Sequence, residues 1–317
     1  MPIKPKRLSP GDLVGLVAPA SPPPDPQSVD GCIASLEHLG FRVKLGPHAR
    51  KRWGYLAGSD RERAHDLMAM FTDPKIQAVV CVRGGYGTAR LLPQLDFDTI
   101  RQHPKIFVGF SDITTLHCAF LRVANLVSFH GPMPHSHFMN DDLPEFTRAG
   151  FERTLMVAAA PGNLCQNYDK KTVTILRRGR ARGPLVGGNI SLLCTTLGTP
   201  YQPNFKRCIL LIEDVDEVPY RFDRMLTHLL NAGLLQQVAG VAVGINAHCE
   251  DPKAKRCREY RQTLEDVFRD RLYPLKVPVV LGLPFGHCPH VATMPIGVRA
   301  LLDAEQGDLE ILEPAVA

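Results

Sequence analysis

The chain has 317 residues, of which 44% are hydrophobic, enough for sizeable cores and more in keeping with two domains than one. The 37 Lys and Arg stand against 32 Asp and Glu for a net charge of +5, spread along the chain without any block of like charge. The one short basic cluster, Arg177 to Arg182, has no aromatic interleaving, so nucleic acid is not the expected partner. The first residues are basic, but Leu13 to Ala18 is too short and too broken by Gly15 and Pro19 for a signal peptide's apolar core. No run reaches the length of a membrane span. Nine cysteines at irregular spacings, without Cys-x-x-Cys, point to reduced thiols in a cytoplasm. A soluble cytoplasmic protein without disulfides is the expectation.

In chain order, Asp12 to Ala18 reads as a first strand, Pro26 to Leu39 as a helix ending at Gly40, and Phe41 to Leu45 as a second strand. Ser59 to Glu62 is a Ser-x-x-Glu capping box, followed by Ala64, Leu67, Met68 and Phe71 at the spacing of an amphipathic helix. Ala78 to Val82 is apolar without alternation, as a strand buried on both faces of a parallel sheet should be. The loop Arg83-Gly84-Gly85-Tyr86-Gly87 follows. Next come a short helix, a strand over Lys105 to Phe110, a helix from Asp112 to about Arg122, and a strand over Leu126 to Phe129. This β-α-β-α-β order predicts a doubly wound parallel domain whose ligands sit beyond the carboxyl ends of its strands.

From about Met139 to Lys171 the pattern weakens through Asn140-Asp141-Asp142 and Pro161-Gly162-Asn163. The division expected is therefore an N-terminal domain over 1–140, a connection over 141–171 and a C-terminal domain over 172–317. In the latter, Thr172 to Leu176 reads as a strand, and Gly187-Gly188-Asn189 opens an apolar helical stretch to Leu197. Cys208 to Ile212 is a buried strand ending in Glu213-Asp214. A helix follows with Phe222, Met225, Leu226, Leu229 and Leu230 on one face, stopping at Gly233. Further strands are expected at Val238 to Ile245, Val277 to Leu281, Val298 to Leu302 and Leu309 to Leu312.

Three residues at predicted strand ends have complementary chemistry. Ser111 sits in a strand-to-helix turn, where a hydroxyl is lifted clear of the sheet beside the free N–H groups of a first helical turn. The turn lacks the last glycine of the Gly-x-Ser-x-Gly elbow, since Ile113 stands there, and a serine N-cap is the competing reading. A serine needs a base, and an imidazole serves best when a carboxylate orients it. His287, in a loop set by Leu-Gly-Leu-Pro-Phe-Gly, and Glu213, at the end of an apolar strand, supply both types. Each has a plainer reading as a loop histidine or a helix-entry acid.

The loop Arg83 to Gly87 can bring its backbone close to a ligand and offer N–H groups to an anion, either a phosphate or the oxyanion of an acyl transfer. It is neither Gly-x-Gly-x-x-Gly nor a Walker sequence, which disfavours a nucleotide. Arg83 and Tyr86 on this loop are candidate substrate contacts; the guanidinium of Arg83 suits either a free carboxylate or an acid across the domain interface. His117, His130, His135, His137 and His290 raise the question of zinc, but no His-Glu-x-x-His or similar ligand spacing occurs. No metal and no cofactor is expected.

Taken together, Gly11-Asp12 to Ala18-Pro19-Ala20-Ser21, Val82-Arg83-Gly84-Gly85-Tyr86-Gly87, Gly109-Phe110-Ser111-Asp112-Ile113-Thr114 and His130-Gly131-Pro132-Met133 form an ordered series. It continues through Val186-Gly187-Gly188-Asn189, Leu211-Ile212-Glu213-Asp214, Pro219-Tyr220-Arg221, and Gly286-His287 with Pro295-Ile296-Gly297. In this series the chain resembles, nearly end to end, the LD-carboxypeptidase family of serine peptidases, which includes muramoyltetrapeptide carboxypeptidases and microcin C immunity peptidases. The resemblance implies a triad of Ser111 as nucleophile, Glu213 as orienting acid and His287 as general base. It also implies an oxyanion hole from the N–H of Asp112 and one from the Gly85 loop. The implied fold is a flavodoxin-like N-terminal domain and a smaller, mostly β C-terminal domain with the site in the cleft between them, often in a homodimer. The implied reaction releases the terminal D-alanine of a muropeptide through an acyl-enzyme. Hydrolysis of an aminoacyl-nucleotide antibiotic is the neighbouring possibility, and a catalytically silent peptide binder the one from another class.

Overall fold

A computed structural model describes residues 1–140, 142–251 and 262–317. The first part of the chain runs β1 (Leu13–Val17), α1 (Ser28–His38), β2 (Arg42–Leu45), α2 (Asp60–Thr72), β3 (Ile76–Cys81), α3 (Phe97–Gln102), β4 (Ile106–Gly109), α4 (Thr114–Ala119) and β5 (Ser128–His130). These five strands are parallel in the order β2-β1-β3-β4-β5, the doubly wound arrangement expected from the sequence. Both faces of the sheet are covered. Val79, Cys81 and Phe107 pack with Leu67, Phe71, Leu116 and Phe120 on one side, and Leu16, Val80 and Val108 with Cys32 and Leu36 on the other. That double burial is why β3 shows no alternation. Phe71, Phe107 and Phe120 meet at ring distances of 4.8 to 6.3 Å, each buried ring contributing about 1.5–3 kcal/mol.

The capping box of α2 is present as expected: Ser59 Oγ accepts from the Glu62 N–H, and Glu62 Oε2 accepts from the Ser59 N–H at 2.9 Å. The helix after Ser111 is less regular than its sequence suggested. A tight 3-10 turn over Ser111–Ile113 leads into α4, and a wider π turn over Phe120–Ala124 ends at Asn125 in the left-handed region.

The stretch 141–171 contains more structure than its composition promised. Helix α5 (Glu145–Leu155) buries Thr147, Gly150, Phe151, Thr154 and Leu155, and β6 (Gly162–Asn163) joins the second sheet. Asp141, in the turn signal Asn140-Asp141-Asp142, lies outside the described residues. The chain continues through β7 (Thr174–Arg177), β8 (Arg180–Asn189), α6 (Ile190–Thr195), β9 (Ile209–Glu213), α7 (Pro219–Asn231), β10 (Gly240–Ile245), α8 (Leu264–Leu272), β11 (Val279–Gly286), β12 (Met294–Ile296), β13 (Arg299–Asp303) and β14 (Asp308–Ile311).

The second sheet has the order β6-β14-β13-β8-β9-β10-β11-β7, with β8 to β11 parallel in its middle and antiparallel strands outside. β12 does not belong to it. It pairs antiparallel with β5, Met294 opposite His130, and becomes the edge of the first sheet. Strands β4, β9 and β11 thus each end near the junction of the two sheets. No helix among the described residues is long and apolar enough to cross a membrane.

Candidate active site

The buried strand β4 ends at Gly109, Phe110 continues it in extended conformation, and the chain then turns sharply. Ser111 makes that turn with φ of 65°, a left-handed conformation that costs a non-glycine residue energy and is kept where surrounding structure enforces it. One enforcing contact comes from Gly84. A Cβ there would lie 3.0 Å from Ser111 Cβ and 3.1 Å from the Phe110 carbonyl, so any larger residue would have to push the serine turn away by a few tenths of an ångström.

β9 delivers Glu213 with no exposed surface. Its Oε2 accepts a 2.7 Å hydrogen bond from His287 Nδ1, while its Oε1 has no hydrogen-bond partner within ordinary geometry among the described residues. Burial pushes the carboxyl above its ordinary range, and the bond from His287 opposes that rise. The neighbouring Asp214 is fully occupied in holding the strand end. It accepts from Asn189 Nδ2, from the N–H and hydroxyl of Ser191, and from the Val215 N–H.

His287 follows β11, whose last residue Gly286 has φ of 95°; a Cβ there would come within 2.7 Å of Glu213 Oε2. With Nδ1 donating to Glu213, Nε2 is left as an acceptor, and Ser111 Oγ lies 3.1 Å from it. The Phe110 ring packs edge-on against the imidazole at 4.9 Å. The loop beyond is moored to the first part of the chain. His137 Nε2 donates to the Cys288 carbonyl at 3.3 Å, Thr147 Oγ1 donates to the Pro289 carbonyl at 3.4 Å, and the Val291 N–H donates to Thr147 Oγ1 at 2.9 Å. Sequence reasoning missed Thr147 altogether and read His137 only as part of a histidine group. No local spacing announces either role.

The loop 83–87 is tied to the serine turn through Asp112, which is 1% exposed. Its Oδ2 accepts from the Thr88 N–H at 2.9 Å and its carbonyl accepts from Thr88 Oγ1 at 2.5 Å, while Thr88 and Thr115 hydroxyls meet at 2.6 Å. Burial raises the Asp112 carboxyl, against the Thr88 hydrogen bonds. The Tyr86 N–H is taken by Ser21 Oγ at 3.1 Å, whereas the N–H groups of Gly85 and Asp112 have no acceptor among the described residues.

Arg83 is half-buried and has no ion-pair or hydrogen-bond partner among the described residues; burial holds its guanidinium below its usual value. Tyr86 is 49% exposed and packs on Tyr55 at 5.5 Å. Of the histidines raised by the sequence, His117 is buried and hydrogen-bonded to Ser128 and the Gly109 carbonyl. His130 is buried, and neither ring nitrogen has a hydrogen-bond partner among the described residues. Burial pushes His117 and His137 down to about 4 and His130 well below its ordinary value, so these are neutral structural imidazoles at pH 7.

Chemically, a hydroxyl, an acceptor imidazole nitrogen and a shielded carboxylate form one hydrogen-bonded relay, with the unoccupied N–H of Asp112 on the residue after the serine. The model of the LD-carboxypeptidase N-terminal domain matches residues 14–131, and that of the LD-carboxypeptidase C-terminal domain matches residues 182–302. A probable murein peptide carboxypeptidase of Bacillus subtilis is 42% identical over 303 residues, 96% of this chain and 92% of that protein. A murein tetrapeptide carboxypeptidase of Pseudomonas aeruginosa is 32% identical over 300 residues, covering 92% and 94%. The microcin C7 self-immunity protein MccF of Escherichia coli is 25% identical over 332 residues, covering 96% and 94%. Among solved structures, the muramoyltetrapeptide carboxypeptidase of Oxalobacter formigenes superposes with a TM-score of 0.80 at 31% identity, covering 94% of this chain and 97% of that one. Wild-type apo MccF superposes over both entire chains with a TM-score of 0.86 at 22% identity, a likeness of fold.

Proposed function

The chain belongs to the LD-carboxypeptidase family, and from that premise we propose that it is a serine carboxypeptidase removing the terminal D-alanine of a murein tetrapeptide at an L,D bond. The observation that carries this reading is the relay from Ser111 Oγ through His287 Nε2, 3.1 Å, and His287 Nδ1 to Glu213 Oε2, 2.7 Å. Ser111 Oγ attacks the carbonyl before the terminal residue as its proton passes to His287 Nε2. The negative charge on the carbonyl oxygen is met by the N–H groups of Asp112 and Gly85. Collapse expels the D-alanine amine, which takes the proton from His287, and leaves an ester on Ser111. Water then gives its proton to His287, attacks the ester and restores the serine. Glu213 remains ionised, keeps Nδ1 as the donor and stabilises the transient imidazolium.

Carboxypeptidase selectivity requires recognition of a free carboxylate, and Arg83 is assigned that task because it is a half-buried cation with no counter-charge among the described residues, next in sequence to Gly84 of the loop that packs on the Ser111 turn. Tyr86 borders the same loop and is the second proposed substrate contact. No cofactor takes part in this chemistry, and we place the enzyme in the cytoplasm as a homodimer.

Incubation with a sugar-free tetrapeptide, read by mass spectrometry, tests the reading: tripeptide and free D-alanine are expected from wild type and neither from Ser111→Ala. An aminoacyl sulfamoyl adenosine serves as the competing substrate. Turnover of that compound with no release of D-alanine overturns the murein assignment in favour of an immunity-type peptidase. Inactivity on both, with no labelling of Ser111 by a fluorophosphonate, identifies a binding protein.

A further inference from the structure

Outside the Ser111 site, Asp66 of α2 presents a carboxylate that is 2% exposed, and no Lys or Arg pairs with it among the described residues. A buried carboxylate needs compensating positive charge. What faces it instead is a pair of imidazoles. His48, in the turn after β2, places Nδ1 at 2.6 Å from Asp66 Oδ1 and its backbone N–H at 2.8 Å from Oδ2. His65, next to Asp66 on α2, places Nδ1 at 3.5 Å from the same Oδ1. One ligand atom from each of the three residues lies within 4.8 Å of the other two, and the two rings stand edge to face at 5.7 Å.

We propose that His48, His65 and Asp66 form a binding site for a zinc-type divalent cation, one that staples the turn after β2 to helix α2. Zinc bonds to imidazole nitrogen and carboxylate oxygen are about 2.0–2.2 Å, which makes the edge of a tetrahedron about 3.4 Å. The His65 to Asp66 separation already has that length. The shorter His48 contact is the hydrogen-bonded state: on metal binding the ring takes the neutral tautomer with its proton on Nε2, which frees the Nδ1 lone pair, and swings outward by under about 1 Å to reach coordination distance. The partly exposed His48 side chain, 24% accessible, can make that movement. The His65 side chain is 63% accessible, so water completes the fourth position. Two nitrogens and one oxygen select borderline first-row ions over magnesium or calcium, which require shells of oxygen. The site shares no residue with the reaction centre, so its role is structural.

The test titrates chelator-stripped full chain with zinc chloride by calorimetry, with melting temperature measured in parallel. Wild type should bind one equivalent that His65→Ala loses or binds at least tenfold more weakly, and zinc should raise the melting temperature of wild type but not of His65→Ala. Magnesium should do neither. His65 is a surface residue, so this variant keeps the test decisive if Asp66→Asn fails to fold. Equal zinc binding by wild type and His65→Ala would place the metal elsewhere and overturn the proposal, as would absence of binding at about 1 mM zinc.

Discussion

His137 and Cys288 belong to opposite halves of the chain, and the Nε2–H of the first donates a 3.3 Å hydrogen bond to the carbonyl of the second. Cys288 directly follows His287, so this bond limits the swing of the imidazole that faces Ser111. Replacing His137 by Phe keeps the ring and removes the donor. A net hydrogen bond is worth about 0.5–1.5 kcal/mol, so kcat should fall up to about tenfold with KM nearly unchanged. His137→Gln, which can still donate at that position, should recover most of the loss. Steady-state kinetics on the tetrapeptide read both numbers, and an unchanged kcat in His137→Phe removes the residue from any positioning role.

Ser111 is held at a φ of 65°, where a side chain costs on the order of 1 kcal/mol. Ser111→Ala keeps that cost, and as part of a unit with His287 and Glu213 its loss should lower turnover by about four to six orders of magnitude without affecting folding. Ser111→Gly should be equally inactive yet more stable than Ser111→Ala. Calorimetric melting of the two variants decides: a glycine variant no more stable than the alanine one would mean that the turn imposes no strain.

Stability should depend on acidity through the buried histidines. His117 and His137 fall from the ordinary 6.5 to about 4 in the folded protein, and burial holds His130 well below its ordinary value too. Below about pH 6.5 the unfolded chain takes up protons that the folded one refuses, so their contribution is complete above that pH and lost as pH falls toward about 4. A tenfold difference in proton affinity between the folded and the unfolded chain is worth about 1.4 kcal/mol. The raised carboxyls of Glu213 and Asp112 act in the opposite sense above their ordinary values, two groups against the three imidazoles. Melting temperatures taken between pH 7.5 and 4.5 should drop steadily; a flat profile would mean that the three imidazoles are not held neutral.

Arg83 separates through the form of the substrate. If it reads the terminal carboxylate, Arg83→Lys should weaken kcat/KM on the free acid by about 1.5–3 kcal/mol, the range for a charged hydrogen bond, and barely alter the poor cleavage of the C-terminal amide. Equal losses on acid and amide, with a lower melting temperature, are the outcome of a purely structural arginine.

Local signals made the first sheet readable. β1, β3 and β4 are short, mainly apolar runs, and burial on both faces shows in Ala78 to Cys81 and in Ile106 to Gly109, whereas the edge strand β2 alternates Arg42 and Lys44 with Val43 and Leu45. The strand ends before Ser111 and at Glu213 could be found for the same reason. The strand before His287, by contrast, reads from the sequence as stopping at Leu281, and β11 instead runs on through Gly282 and Pro284 to Gly286, because its pairing with β10 continues to that residue despite the glycine and proline. β8 could not be found. Its first half alternates exposed arginines with small residues and its second half ends in Gly187 and Gly188, so neither pattern nor propensity marks a ten-residue central strand. Helix α5 buries two threonines and a glycine on its inner face and therefore has a weak apolar stripe. β12 is three residues long and is a strand only because β5, 164 positions earlier at the paired residues Met294 and His130, offers an edge. The mooring of the His287 loop by His137 and Thr147 and the His48, His65 and Asp66 grouping are likewise products of the tertiary fold.

The pairing of β12 with β5 sets a timetable for biosynthesis. Until Met294 has left the ribosome, β5 is an open edge with unpaired backbone groups, the kind of surface that recruits other chains. At about 5–20 residues per second, the 164 residues from His130 to Met294 take roughly 10 to 30 s to translate, so the nascent chain carries this sticky border through half of its production. Because His287 emerges only seven residues before Met294, the relay behind Ser111 is assembled in the same final interval that seals the sheet.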